Sequence, residues 1–264
     1  MSSSIDTSLP ATPPPPSPTP TRTIIYKVYG IANRVQAITA VGFTTFAVMH
    51  GLQIATGALR GVAAADSALL LTRPIYQDAH LEGWIVTGSV IWHLVAGTTK
   101  SILKPYLNIT STSGKTTTTT TPLLRYHDVT GQLLVPLLAG HYYLARGMPI
   151  KTMGDSAFVD FGIIAWGLQN KPVITWVWHT ALIGVGVYHM AGGMQLALQR
   201  TFGGKVKKAE AGGKKGLVSK TQGVALGIST ILIAGLVATS RMDKIPLRRE
   251  YQDIYSQLLP AWLM

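Results

Sequence analysis

The stretch VIWHLVAG, Val90 to Gly97, decides the reading of this chain, because it sets a histidine in the middle of an apolar run. The same pattern returns in VGVYHMAGG, Val185 to Gly193, around His189. An ionisable ring at membrane depth is costly and normally faces a bundle interior with a partner. Aligning His93 with His189 superimposes Gly88 on Gly184, Trp92 on Tyr188, Leu94 on Met190 and Gly97 on Gly193. A second alignment, His50 on His141, is weaker and matches Thr39 to Thr130. The histidines within the two copies lie 43 and 48 residues apart, so two helices form one unit and the unit occurs twice.

Composition places these runs in a membrane. Of the 264 residues, 47% are hydrophobic and only 13% charged, where soluble domains carry about a quarter charged residues. The uncharged runs give five predicted spans, at about 35–59, 83–103, 127–146, 172–199 and 218–240, each near the ~20 residues a crossing needs. The second and third are the short ones and need Lys100 and Arg146 to snorkel at their ends. The expected fold is an all-α membrane protein of five transmembrane helices. The first four are the tandem two-helix units and form a four-helix bundle.

Charge sets the expected orientation. Lysine and arginine number 14 on the side of the N-terminus and 9 on the other, and acids number 3 and 8. The positive-inside tendency therefore puts the N-terminus in the cytosol and the C-terminal tail, 241–264, on the opposite side. The formal net charge of +12 is accordingly a topology signal and no sign of nucleic-acid binding. The cluster Lys205, Lys207, Lys208, Lys214, Lys215 and Lys220 reads as a positive-inside loop that also attracts anionic headgroups of membrane lipids.

Residues 1–24 form a Pro-rich tail expected to be disordered, either a plain tether or a docking motif for a cytosolic partner built on Pro16, Pro18 and Pro20. Thr110–Thr121 reads as a linker, and the sequon at Asn108 falls in the same cytosolic loop, where no glycan is expected. Ala157–Leu168 is apolar but too short to span, and reads with Ile254–Met264 as interfacial segments on the far side. The chain has no cysteine, which excludes disulfides, thiolate cluster ligation and covalent haem attachment through thiols. No Ser/His/Asp set or carboxylate pair shares a span, so a hydrolytic enzyme is not expected.

The histidine depths repeat as well. His93 lies 11 residues before Lys104 and His189 lies 11 before Arg200, ~16 Å from the cytosolic surface. His50 and His141 lie in the opposite half. Two readings stand at this point: interhelical hydrogen-bond glue, or paired axial ligands of a haem iron held in a bundle core. Gly97, Gly184, Gly192 and Gly193 would let helices or a flat ring approach closely. His179, in WVWH, competes with His189 as a ligand, while His80 and His127 sit at loop edges within reach of solvent.

WHLVAG, YHMAGG and HDVTG (His127–Gly131) resemble pieces of the cytochrome b membrane anchors of succinate dehydrogenase and fumarate reductase. That resemblance implies haem b held by His50 with His141 and by His93 with His189. Across about residues 25–240 the chain is also similar to the fungal mitochondrial adaptor (Mcp) family, in segments such as Val129–Pro149 and Gly184–Gln195 and in its Pro-rich tail. The family implies a mitochondrial outer-membrane adaptor, not an enzyme, with its C-terminus in the intermembrane space. Its tail recruits a chorein-type, bridge-like lipid-transfer protein through a Pro-x-Pro motif, supporting organelle contact and lipid homeostasis. The alternatives are an electron-transferring cytochrome b and, on the repeat alone, a small-molecule or lipid transporter.

Overall fold

The computed structural model describes residues 20–107, 126–202 and 214–258, and among these every regular element is helical. The Pro-rich segment before Pro20, the threonine tract with Asn108, the lysines at 205, 207 and 208 and the last six residues lie outside the described residues.

Helix α1 runs from Pro20 to Arg60. It takes in the last five residues of the expected tail and starts fifteen residues before the expected first span. Proline suits a first helical turn, where its missing N–H would have no partner anyway. At Gly61 the backbone takes φ 87 and ψ 166, a conformation essentially confined to glycine. The chain reverses there into α2, Val62–Tyr76. This helix runs back along α1, with Ala65 against Gly57 and the Tyr76 ring 5.2 Å from that of Phe46.

A capped turn, Ala79–Leu81, leads into a π-helical stretch, Glu82–Thr87, and then α3, Gly88–Leu103. Helix α4, His127–Tyr142, passes likewise into a π-helical turn, Tyr143–Gly147, and a short α5, Met148–Met153. The predicted second and third spans are therefore both interrupted rather than single α-helices. Helix α6 covers Gly162–Asn170, α7 Pro172–Phe202, α8 Lys214–Ser240 and α9 Arg248–Leu258.

Among the described residues, three helices are long and apolar enough to cross a membrane: α1, Pro172–Met194 of α7, and Gln222–Ser240 of α8. Their outer faces carry exposed Ile38, Val41, Val173, Val177, Val224 and Leu226. In water a patch of that extent would be a liability; against acyl chains it costs nothing. Helix α1 packs on α2, α3 and α8, while α4 packs on α7, and α7 on α8. The two halves of the sequence thus form two helix pairs, α1 with α3 and α4 with α7.

The dense core lies at one end of these helices. Leu144, Met148, Ile163, Trp166, Tyr251 and Ile254 are all buried there. Helix α6 is buried along Gly162–Leu168, which corrects the expectation of an interfacial segment at Ala157–Leu168. A helix apolar on every side belongs inside a core; an interfacial one needs a polar face. Ile254–Met264 was expected at the interface too. Its described part belongs to α9, which buries Tyr251, Ile254 and Tyr255 on one stripe.

Polar bonds tie this cap together. The Asp160 Oδ1 accepts from the Gly162 N–H at 2.8 Å and from the Tyr251 hydroxyl at 2.7 Å. A side chain at Gly162 would strike that carboxyl group and the Tyr251 ring. Arg73 of α2 donates to the Ala157 and Val159 carbonyls. Asp66 accepts from the Phe161 N–H at 3.0 Å. Burial, reinforced by the neighbouring Asp160, pushes the Asp66 carboxyl above the usual carboxylate range, against the pull of that hydrogen bond and of Arg73. Burial and the Asp160 contact also hold the Tyr251 phenol protonated far past its ordinary range, so it stays a donor.

Candidate histidine cavity

Between the two helix pairs lies a cavity of about 840 Å³, within the range of cofactor and ligand pockets. Of the seven histidines, all but His80 line it. Its walls are otherwise mostly apolar, including Val41, Val90, Leu94, Leu134 and Leu182, with Arg73, Glu82, Arg146 and Asp160 at the capped end.

The structure brings the four repeat-related histidines together in two pairs. The rings of His50 and His141 have centroids 6.1 Å apart, and those of His93 and His189 lie 6.3 Å apart. Metal–imidazole bonds are ~2 Å long, so two rings on opposite sides of one iron have centroids ~6 Å apart. Direct imidazole hydrogen bonding would draw them closer. Neither pair forms such a bond within itself, but His93 and His189 each bond across helices to a backbone carbonyl, as the hydrogen-bond reading expects.

The ring nitrogens are oriented. His93 Nδ1 donates to the Gln36 carbonyl at 3.2 Å, and His189 Nδ1 donates to the His127 carbonyl at 3.1 Å. A carbonyl only accepts, so both rings keep their proton on Nδ1 and carry a lone pair on Nε2. His179 is fixed the same way, donating to the Thr175 carbonyl at 2.8 Å.

His179 stands edge-on to His141, with centroids 5.5 Å apart. It therefore neighbours the His50–His141 pair, rather than replacing His189 as the sequence suggested. Its Nε2 and the Nδ1 of His141 are buried without a hydrogen-bond partner among the described residues. His127 also departs from expectation. Placed at a solvated loop edge by the sequence, it is half-buried, stacks on His189 at 4.1 Å and 5°, and lines the cavity. His80 is exposed, as expected of a loop edge.

Close approach is governed by glycines the repeat did not single out. A Cβ on Gly131 would sit 2.8 Å from His189 Cε1, and one on Gly140 would strike the Trp178 ring. Trp178 in turn donates to the Leu137 carbonyl at 3.1 Å. Of the glycines marked from sequence, Gly97 faces the Gln36 amide at 3.3 Å and Gly193 the His127 ring at 3.4 Å, whereas Gly184 opens onto free space.

The basic residues expected to snorkel bond within the protein. Lys100 donates to Gln36 Oε1 and lies 5.9 Å from the Tyr29 ring centroid. Arg146 makes a two-point ion pair with Glu82, its Nε lying 2.9 Å from Oε1, and also donates to Ser156. Signals for Gln36, Gln53 and His127 existed only as polar residues inside or beside apolar runs.

Among the described residues, no group of three or more His, Cys, Asp or Glu side chains is arranged to hold a bare metal ion. A haem asks less of the protein, because its macrocycle supplies four nitrogens and the chain supplies only the axial ligands. The residues present fit that demand: two imidazole pairs with centroids 6.1 and 6.3 Å apart, oriented lone pairs on His93 and His189, and apolar walls.

Apolar helices packed around an internal histidine cavity define a helical integral membrane protein. Within that class, residues 136–243 match the family model of the transmembrane domain of MDM10-complementing protein 1. The matched region runs from the middle of α4 to just past α8 and includes His141, His179 and His189. No curated protein and no solved structure matches the chain.

Proposed function

We propose that this chain is a mitochondrial outer-membrane adaptor of the Mcp kind, crossing the bilayer five times and carrying haem b between its paired histidines. The match of residues 136–243 to the transmembrane domain of MDM10-complementing protein 1 carries the family assignment. Two further crossings, through Glu82–Leu103 and His127–Met153, complete the five, their π-helical turns satisfying the backbone where α-geometry is interrupted. The positive charge bias supports a cytosolic Pro-rich N-terminus, and in an outer-membrane protein the opposite side, with the C-terminus, is the intermembrane space.

In this reading the tail recruits a chorein-type lipid-transfer protein through Pro16, Pro18 and Pro20, and the bundle anchors the assembly at an organelle contact. A proline-rich segment is already extended, so a partner domain orders it at little entropic expense. Replacing Pro16, Pro18 and Pro20 together by alanine is expected to abolish recruitment, measured by co-purification of the lipid-transfer protein with mitochondria. Insertion of the chain in the outer membrane should be unchanged. Recruitment at the wild-type level would remove the tail as the docking site.

His93 and His189 would hold haem iron nearer the cytosolic side, and His50 and His141 in the capped half. Haem bound there supplies a one-electron iron centre. The chain's own contribution would be to exclude water with apolar walls and, at His93 and His189, to fix the rings through backbone carbonyls that leave Nε2 as the lone-pair nitrogen.

A further inference from the structure

The hydrogen bonds around His50 have only one consistent direction. The Thr72 hydroxyl donates to the Ala68 carbonyl at 2.7 Å, so its oxygen is left to accept. It accepts from Gln53 Nε2 at 2.5 Å, which fixes which end of the amide faces α2. Gln53 Oε1 must then face His50, whose Nδ1 lies 2.9 Å away. An amide oxygen only accepts, so His50 Nδ1 carries the proton and Nε2 the lone pair.

We infer that Gln53, oriented by Thr72, is a positioning residue that locks the tautomer of His50 and leaves its Nε2 as a ligand nitrogen. Gln53 is 1% exposed, so no solvent competes for its amide. Tyr76 closes the far side, its hydroxyl 3.4 Å from Gln53 Nε2. At the other three locked rings a backbone carbonyl does this work: Gln36 for His93, His127 for His189, and Thr175 for His179. His50 alone among the four relies on a side chain. Both ends of the relay from Ala68 to Thr72 stand on α2, which the turn at Gly61 lays back along α1. The relay thereby joins the cap to the capped-end histidine pair.

The lock stands on protein hydrogen bonds alone; its purpose rests on the haem reading. The test therefore reads the protein first. In full-length chain carrying ¹⁵N-histidine in lipid nanodiscs, assigned with His50→Asn, His50 is expected in the Nδ1–H tautomer. Gln53→Leu removes the acceptor, and its His50 signal should shift toward the Nε2–H form. Gln53→Glu keeps an acceptor oxygen facing His50 and should restore the Nδ1–H form. Thr72→Val, nearly isosteric, should give a mixture of tautomers by freeing the amide to turn, and it covers the event that Gln53→Leu does not fold. A His50 tautomer unchanged in both Gln53→Leu and Thr72→Val, or in the Thr72 variant alone if the other fails to fold, overturns the lock. If haem is present, the variants that lose the tautomer should also change the low-spin spectrum of the capped-end site. Chain without haem that still responds in the tautomer signal would defeat the haem proposal and leave the lock standing.

Discussion

In detergent-purified protein, His93→Ala and His189→Ala are each expected to remove the low-spin spectrum of the haem held nearer the cytosolic side. If the pair holds haem, each change would remove one of the two nitrogens that the chain supplies to it. The pair sits 6.3 Å between centroids, and each ring is tied by Nδ1 to a carbonyl on a neighbouring helix, α1 for one and α4 for the other. A substitute ligand would have to come from another residue lining the cavity. His127 comes nearest, stacked on His189 at 4.1 Å, but a stacked ring presents its face. The His50→Ala and His141→Ala proteins should keep that spectrum while losing the capped-end one. If all four variants behaved alike, the two pairs would not be separate sites.

The largest stability effect is expected at Tyr251, far from the histidines in sequence and held at the heart of the cap. Its side chain is 0% exposed and packed in the same cluster as Met148, Ile163 and Ile254. Tyr251→Ala empties a ring-sized volume, which costs about 3–5 kcal/mol in a core of this kind. Tyr251→Phe keeps the ring and deletes the bond to Asp160, for a loss of about 1–3 kcal/mol. Thermal unfolding in detergent, followed by tryptophan fluorescence, should rank wild type, Phe and Ala in that order. Equal stability of Tyr251→Ala and wild type would mean that the cap does not hold the helix ends together.

The sequence disclosed the membrane class and the pairing of the histidines, because both are written in periodic apolar runs and in a repeat. Offsets of 43 and 48 residues suggested the repeat, and the resemblance to cytochrome b anchors implied the pairing of His50 with His141 and His93 with His189. The cap was much less legible. Ala157–Leu168 has the length and hydrophobicity of an interfacial helix, and nothing local says that α9 and α2 will cover it. Asp160 within that run accepts from the Gly162 N–H and from the Tyr251 hydroxyl ninety-one positions away, partners that the local sequence does not announce. Helix α2 was missed because only Gly61 marks the reversal. The π-helical turns were invisible too, since a one-residue expansion barely disturbs an apolar pattern. His127 was misplaced for a related reason: its neighbours Tyr126 and Asp128 read as a loop edge, while the ring turns inward against His189.

The most direct test is the absorption spectrum of the purified, full-length chain, oxidised and then reduced with dithionite. Haem binding predicts a Soret band that shifts on reduction, with sharp α and β bands of a bis-imidazole haem b. Protein expressed with haem freely supplied, yet purified with no absorbance beyond its tyrosine and tryptophan band, would contradict it.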